Sequence, residues 1–199
     1  MSNWETKYKA SQEYLFGTRP NRFLVENLAQ LPPGKALCLG EGEGRNAVYL
    51  AQHGLEVTAV DLAPTALAKT RRLAQQNKVR VEAIQADINH FPINPEMWQA
   101  IVCFFVHLPK EERALLHRRV VQGLAPGGVY LLEGFAPGQV RYGDRGPKKP
   151  SQLYDIMAIR KELAGLQIRI ARELDRPLDD AQPELGLCAV TQMLAVKEA

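Results

Sequence analysis

The stretch Lys35–Leu39, KALCL, runs apolar into the loop GEGEG, and RNAVYLAQ follows with Ala47, Leu50 and Ala51 at helical spacing. A strand, a glycine turn and a helix in immediate succession point to a layered α/β architecture, in which helices cross over between parallel strands. Glycine loops that open a helix bind anions, because bare backbone N–H groups and the positive end of the helix dipole face the ligand. This loop carries two carboxylates, Glu41 and Glu43. They oppose a pyrophosphate and suit a ligand that has positive charge and no phosphate.

The alternation continues along the chain. Leu55–Val60, LEVTAV, is rich in β-branched residues and ends at Asp61, and Pro64 suits the first turn of a helix running to about Gln76. A third strand, Val79–Ala86, sets Val79, Val81 and Ala83 on one face and ends at Asp87. Ala100–Leu108, AIVCFFVHL, is apolar on both faces, as a central parallel strand is. Pro109 stops it, Lys110–Leu124 spaces Leu116, Val120 and Leu124 as a helix, and LAPGG is a helix stop and turn into the strand VYLLEG. In Gln167–Leu174 the residues Ile168, Ile170, Arg172 and Leu174 alternate with Gln167, Arg169, Ala171 and Glu173, which describes a half-exposed strand. Leu187–Val196 is a longer apolar strand, and the connection RPLDDAQPE is too short for a crossover helix, so these two pair antiparallel. The predicted fold class is α/β: an open, mostly parallel twisted sheet with helices on both faces and an antiparallel C-terminal hairpin. One domain accounts for all 199 residues, with no internal repeat.

Composition excludes other classes. Hydrophobic residues at 46% and charged residues at 24% are ordinary globular values. The net charge of +3 is too small to argue for nucleic acid. MSNWETKYKASQEY has no apolar leader core and no long apolar run follows, so neither a signal peptide nor a membrane partner is expected, and a cytoplasmic location is. Cys38, Cys103 and Cys188 each sit in an apolar run without CxxC spacing, which reads as three reduced core thiols rather than a zinc site or a disulfide framework.

In an open α/β sheet, ligands bind outside the carboxyl ends of the strands where strand order reverses. Three groups stand at strand ends: GEGEG, Asp61 and Asp87. Asp61, about 20 residues beyond the first glycine, is placed to accept two hydrogen bonds from a ribose. Asp87 is placed for an exocyclic amine such as that of adenine. Strand-end aspartates also cap turns and helices, which is the plainer role for both.

LCLGEGEGRN, the acids of VTAVDLA and IQADI, the strand AIVCFFVHLP and the turn LAPGG, in this order over roughly residues 35 to 135, resemble the class I S-adenosylmethionine-dependent methyltransferases. The opening KYKASQEYLFGTRPNRFL, the stretch GRNAVYLA, and FFVHLP followed by LAPGGVYLLEGF are similar to the small tellurite-resistance and thiopurine type. The resemblance implies a Rossmann-like methyltransferase fold, a cofactor core over residues 35–134, an N-terminal lid over 1–30, a substrate lid over 135–155 and the hairpin over 167–196. It implies S-adenosylmethionine with its methionine part at Gly40, Glu41 and Gly42, its ribose on Asp61 and its adenine near Leu62, Asp87 and Ile88. Tyr14 and Phe16 would close over the cofactor, and Asn46 and Phe104 complete the implied set. One departure stands out: the acid common two residues before the first glycine is here Cys38. Glu41 is expected to take its part near the amino group, and Glu43 to be a solvated loop residue.

Two other readings remain open. Gly42, Gly44 and Ala47 satisfy GxGxxG/A, so an NAD(P)-dependent oxidoreductase would use Asp61 equally well. A non-catalytic S-adenosylmethionine-binding module would keep the cleft without turnover. For a methyltransferase of the resembled type the acceptor would be a small molecule, anionic, thiol or metalloid; the Asp/Asn-Pro-Pro-aromatic signature of exocyclic amine methylation is absent from FFVHLP, which disfavours DNA base methylation. His107 is the candidate general base, weighed against a packing or capping role, while His53, His90 and His117 read as loop and helix-surface residues. Arg141, Tyr142 and Arg145, with Lys148 and Lys149, form a positive loop that would attract an anionic acceptor, or is simply solvated.

Overall fold

The computed structural model describes residues 3–143, 146–178 and 186–198. In chain order the elements are α1 (Asn3–Lys9), α2 (Arg22–Asn27), β1 (Lys35–Leu39), α3 (Arg45–Gln52), β2 (Glu56–Asp61), α4 (Pro64–Gln76), β3 (Val81–Gln85) and β4 (Trp98–Phe104). α5 (Lys110–Gly123), β5 (Leu124–Phe135), α6 (Ile156–Glu162), β6 (Gln167–Pro177) and β7 (Leu187–Val196) follow. The strands form one sheet in the order β3-β2-β1-β4-β5-β7-β6. The first five are parallel, and β7 runs antiparallel to both β5 and β6. Strand order reverses between β1 and β4, so the ligand crevice lies over their carboxyl ends.

The central strands are buried on both faces because they alternate two apolar sets, while the edge strands β3 and β6 are part exposed. Ala36, Cys38, Ala100, Val102, Val129 and Leu131 pack on Phe23 and Leu24 of α2 and on Ala47 and Leu50 of α3. On the other face Leu37, Leu39, Ile101, Cys103, Tyr130 and Leu132 meet Leu116 and Val120 of α5, Ile159 of α6 and Leu163 at its C-terminal cap. The three cysteines are buried, Cys38 in the first set, Cys103 in the second, and Cys188 in a smaller cluster with Phe135, Leu153 and Val190. Helix starts follow capping chemistry. Asn21 accepts from the N–H groups of Phe23 and Leu24, Pro64 takes the first turn of α4, and Glu111 and Glu112 sit in the first turn of α5.

Several sequence expectations are corrected. β4 ends at Phe104, not Leu108: Phe105 adopts φ 57° and its N–H donates to the Glu133 carbonyl at 2.7 Å, which turns FVHL out of the sheet. LAPGG belongs to β5, where a register shift between the Trp98↔Leu124 and Ala100↔Val129 pairs absorbs the extra residues. α6 was not foreseen. His117 is not a surface residue; it is buried, and its Nδ1 lies 2.8 Å from Glu162, which also binds Arg113. β6 and β7 pair antiparallel as expected, but the strict alternation does not hold: a register shift between Ile168 and Ile170 sets Ile168 and Ala171 against the α5/α6 cluster and Ile170 against the α2/α3 cluster, while residues 179–185 of the connection lie outside the described set. Among the described residues no helix is long and apolar enough to cross a membrane.

Candidate functional site

The loop after β1 is held from every side. The Glu41 N–H donates to the Val60 carbonyl of β2 at 3.2 Å, and the Gly42 N–H to Asp61 Oδ2 at 2.8 Å. Thr70 of α4 donates its hydroxyl to the Gly42 carbonyl at 2.9 Å. Gly44 has φ 94°, and a Cβ there would stand 2.8 Å from the Thr70 backbone, so only glycine permits this approach of the loop to α4.

The two loop carboxylates answer the question that the sequence raises. Glu41 Oε1 accepts from the N–H groups of Asn46 at 2.9 Å and Ala47 at 3.0 Å, the first-turn donors of α3. The place where a phosphate would sit is filled by the protein's own carboxylate. Burial pushes Glu41 up to about 7, even though those two N–H groups pull the other way. Beneath it the Cys38 thiol is raised by burial and by the Glu41 charge. Glu43 is not solvated, contrary to expectation: it is buried and pairs with Lys69 Nζ at 2.6 Å.

Asp61 splits its oxygens between Gly42 N–H and Ala63 N–H, the latter at 2.8 Å on Oδ1. A carboxylate has about four acceptor sites, and the Leu62 N–H also lowers its pKa, so the backbone does not exhaust it. Burial raises its pKa, offset in part by these N–H groups. Leu62 beside it is 49% exposed, which leaves an apolar ledge at the end of β2. Asp87 is half-exposed; its Oδ1 takes the Asn89 N–H at 2.9 Å, and Ile88 is buried beside it. Gly40, with φ 63°, abuts Val106 across the switch point. Phe104 is buried on the α2/α3 face. Asn46 Oδ1 accepts from the Asn21 N–H at 2.8 Å.

An N-terminal cover lies over the loop. Glu5 of α1 accepts from the Thr65 N–H at 3.2 Å and hydroxyl at 2.7 Å, and so caps α4, whose own cap residue Ala63 has no polar side chain. Tyr8 lies on the loop: a Cβ on Gly42 would meet its Oη at 2.7 Å. Trp4 stacks on Tyr8 at 5.9 Å and lies 6.0 Å from Phe16. Tyr14 packs against Val48, Leu73 and Ala74, with the Arg72 guanidinium over its ring at 4.9 Å. Sequence reasoning missed Glu5, Tyr8 and Lys69. The i, i+4 pair Trp4 and Tyr8 was the available signal for the first two.

At the far end of the crevice, His107 Nδ1 is 3.0 Å from the Gln152 carbonyl and its Nε2 is 3.5 Å from the Phe135 N–H. Burial lowers its pKa to about 4. Both ring nitrogens face backbone groups and the ring packs between Phe135 and Tyr154, the packing role weighed against that of a base. Arg141 donates to both oxygens of Asp175, at 2.9 and 3.1 Å, and its guanidinium lies 5.6 Å from the Tyr142 ring centroid. It lines a cleft of about 120 Å³ with Ala136, Gly138, Glu173, Leu174, Asp175 and Ala189, none of which belongs to the glycine loop. Arg145 lies outside the described residues.

Residues 36–128 match a protein-family model described as a methyltransferase domain. Hemagglutinin 1 of Eikenella corrodens is 35% identical over 118 residues, 58% of this chain and 39% of that one. The ubiquinone biosynthesis O-methyltransferase of Rickettsia typhi is 25% identical over 162 residues, 68% of this chain and 64% of its own length. The chain therefore spans less than two thirds of either curated relative. TehB from Haemophilus influenzae, a solved structure, has a TM-score of 0.71 at 22% identity over 88% of this chain and 61% of that one, a likeness of fold.

Proposed function

We propose that this chain is a class I S-adenosylmethionine-dependent methyltransferase that transfers a methyl group from S-adenosylmethionine to a small acceptor that is anionic, a thiol or a metalloid. The observation that carries this reading is the Glu41 carboxylate on the first turn of α3. A dinucleotide needs those N–H groups for its pyrophosphate; a donor with a sulfonium and an ammonium needs acids instead. Glu41 and Asp61 supply them.

S-adenosylmethionine supplies an electrophilic methyl on a sulfonium that is an excellent leaving group. The protein's part is alignment and exclusion of water. Asp61 would accept the ribose hydroxyls with its remaining lone pairs, and Glu41 would face the amino group that Cys38 cannot hold. Leu62 and Ile88 would flank the adenine, with Asp87 as acceptor for its amine. The cover of residues 3–16 would keep water from the sulfonium through Trp4, Tyr8 and Phe16. An acceptor that arrives as an anion or a thiolate needs no base, which suits a crevice where both ring nitrogens of His107 face backbone groups. Residues 135–155 would form the acceptor side.

Thermal melting with S-adenosylmethionine, its demethylated product, NAD and NADP tests the reading. Stabilisation by the first two alone is expected, and stabilisation by the nicotinamides alone would overturn it. Transfer of labelled methyl to anionic, thiol or metalloid acceptors separates the enzyme from a binding module.

A further inference from the structure

Lys69 stands on the face of α4 that Ala66, Thr70 and Leu73 turn inward, and its side chain is only 8% exposed. An ammonium has three donors and no acceptor. All three are used: on the Tyr8 carbonyl at 3.2 Å, the Glu13 carbonyl at 2.8 Å and Glu43 Oε1 at 2.6 Å. These acceptors belong to the end of α1, to the segment after it and to the glycine loop. The second oxygen of Glu43 accepts the Leu15 N–H at 2.7 Å, so the ion pair closes a ring between the cover and the loop.

The same pattern extends outward. Arg72 donates to the Gln12 carbonyl at 3.1 Å and Arg45 to the Phe16 carbonyl at 3.2 Å. The cover is held chiefly by its backbone, from cations on α3 and α4, and Lys69 is the buried one among them. A buried ion pair is weak evidence for stability, because a well-packed apolar side chain often serves as well. A methionine would fill this space. It could not hold three separate segments at fixed distances from one atom.

The geometric consequence falls on Tyr8 and Gly42. Lys69 fixes the Tyr8 backbone through its carbonyl and the loop through Glu43, and the Tyr8 ring then lies against Gly42. We infer that Lys69 is a positioning residue for the methyl donor, acting through Tyr8 and Glu43 to hold the cover and the glycine loop in one register. This rests on the reading of the glycine loop as the donor site.

The test compares wild type with Lys69→Met by hydrogen exchange without ligand and by calorimetric titration with S-adenosylmethionine. Expected are faster exchange confined to residues 3–16 and the glycine loop, unchanged exchange in β4 and β5, and donor affinity lowered tenfold or more. Lys69→Arg, which keeps the charge, should recover part of that loss. Unchanged affinity in Lys69→Met overturns the inference, whether or not exchange rises. If Lys69→Met fails to fold, Glu43→Gln carries the same comparison, and unchanged affinity there overturns it equally. Wild type that does not bind the donor overturns the methyltransferase reading instead, and the positioning role with it.

Discussion

Glutamine at position 41 keeps an oxygen for the first turn of α3 and removes a charge, so Glu41→Gln isolates what ionisation of that carboxylate does. Glu41 sits near 7 in the folded protein against an ordinary 4.5. The folded state therefore holds a proton that the unfolded chain has already released, and stability contributed at low pH is lost as pH rises through this window. At 1.36 kcal/mol per pKa unit, the gap amounts to about 3 kcal/mol. Glutamine does not titrate, and groups that do not feel the Glu41 charge cancel between the two proteins. The stability of Glu41→Gln relative to wild type should thus rise by about 3 kcal/mol between about pH 4 and about pH 8, or roughly 6 to 12 °C in Tm for a domain of this size. Denaturant titrations at stepped pH measure the difference directly. A bound ammonium reverses the preference for the proton, so wild-type affinity for S-adenosylmethionine should increase across the same window while that of Glu41→Gln stays flat. Parallel stability profiles would refute the burial argument, and parallel affinity profiles would place the amino group elsewhere.

Asp61→Ala should lower donor affinity by about 1.5 to 3 kcal/mol, roughly ten- to 150-fold, as the ribose loses a charged acceptor; calorimetric titration giving wild-type affinity would remove Asp61 from the site. Glu162→Gln should destabilise the fold by about 3 to 5 kcal/mol near neutral pH, because Arg113 is left buried without its carboxylate. Burial alone would raise Glu162, yet the bonds from His117 and Arg113 hold it down to about 2, so this contribution is present above the ordinary 4.5 and lost as pH falls toward 2. Denaturation midpoints of the two proteins should converge in acid, and a constant gap would count against the charge pairing.

The parallel half of the fold was legible because its signals are local. β1 and α3 begin and end where the apolar run, the glycines and the helical spacing place them, and Pro64 opens α4 as read. The antiparallel hairpin followed from the short connection, while the alternation read in residues 167–174 is broken at Arg169 by a bulge that no local pattern announces. The end of β4 was misread because FVHL is as apolar as the strand before it; only the backbone of Phe105, bonded to Glu133, shows the turn. α6 covers seven residues, too few for its period to rise above its surroundings. The buried charges were hidden for another reason. Glu43 finds Lys69, and His117 finds Glu162, across 26 and 45 positions of sequence. A polar residue without a visible local partner reads as solvated, and that assumption fails wherever the partner arrives from another element.

The three thiols give the molecule built-in reporters. Cys38 lies on β1 in the α2/α3 cluster, Cys103 on β4 in the cluster beneath α5 and α6, and Cys188 on β7 beside Phe135 and Leu153. Burial raises Cys38 and pushes Cys103 up to about 12, so a thiol reagent cannot act on either in the closed state. Modification then counts openings rather than surface collisions. Each cysteine samples a different cluster, so mass spectrometry of the labelled chain would time the loosening of the two faces and of the β7 end separately, with no mutation introduced.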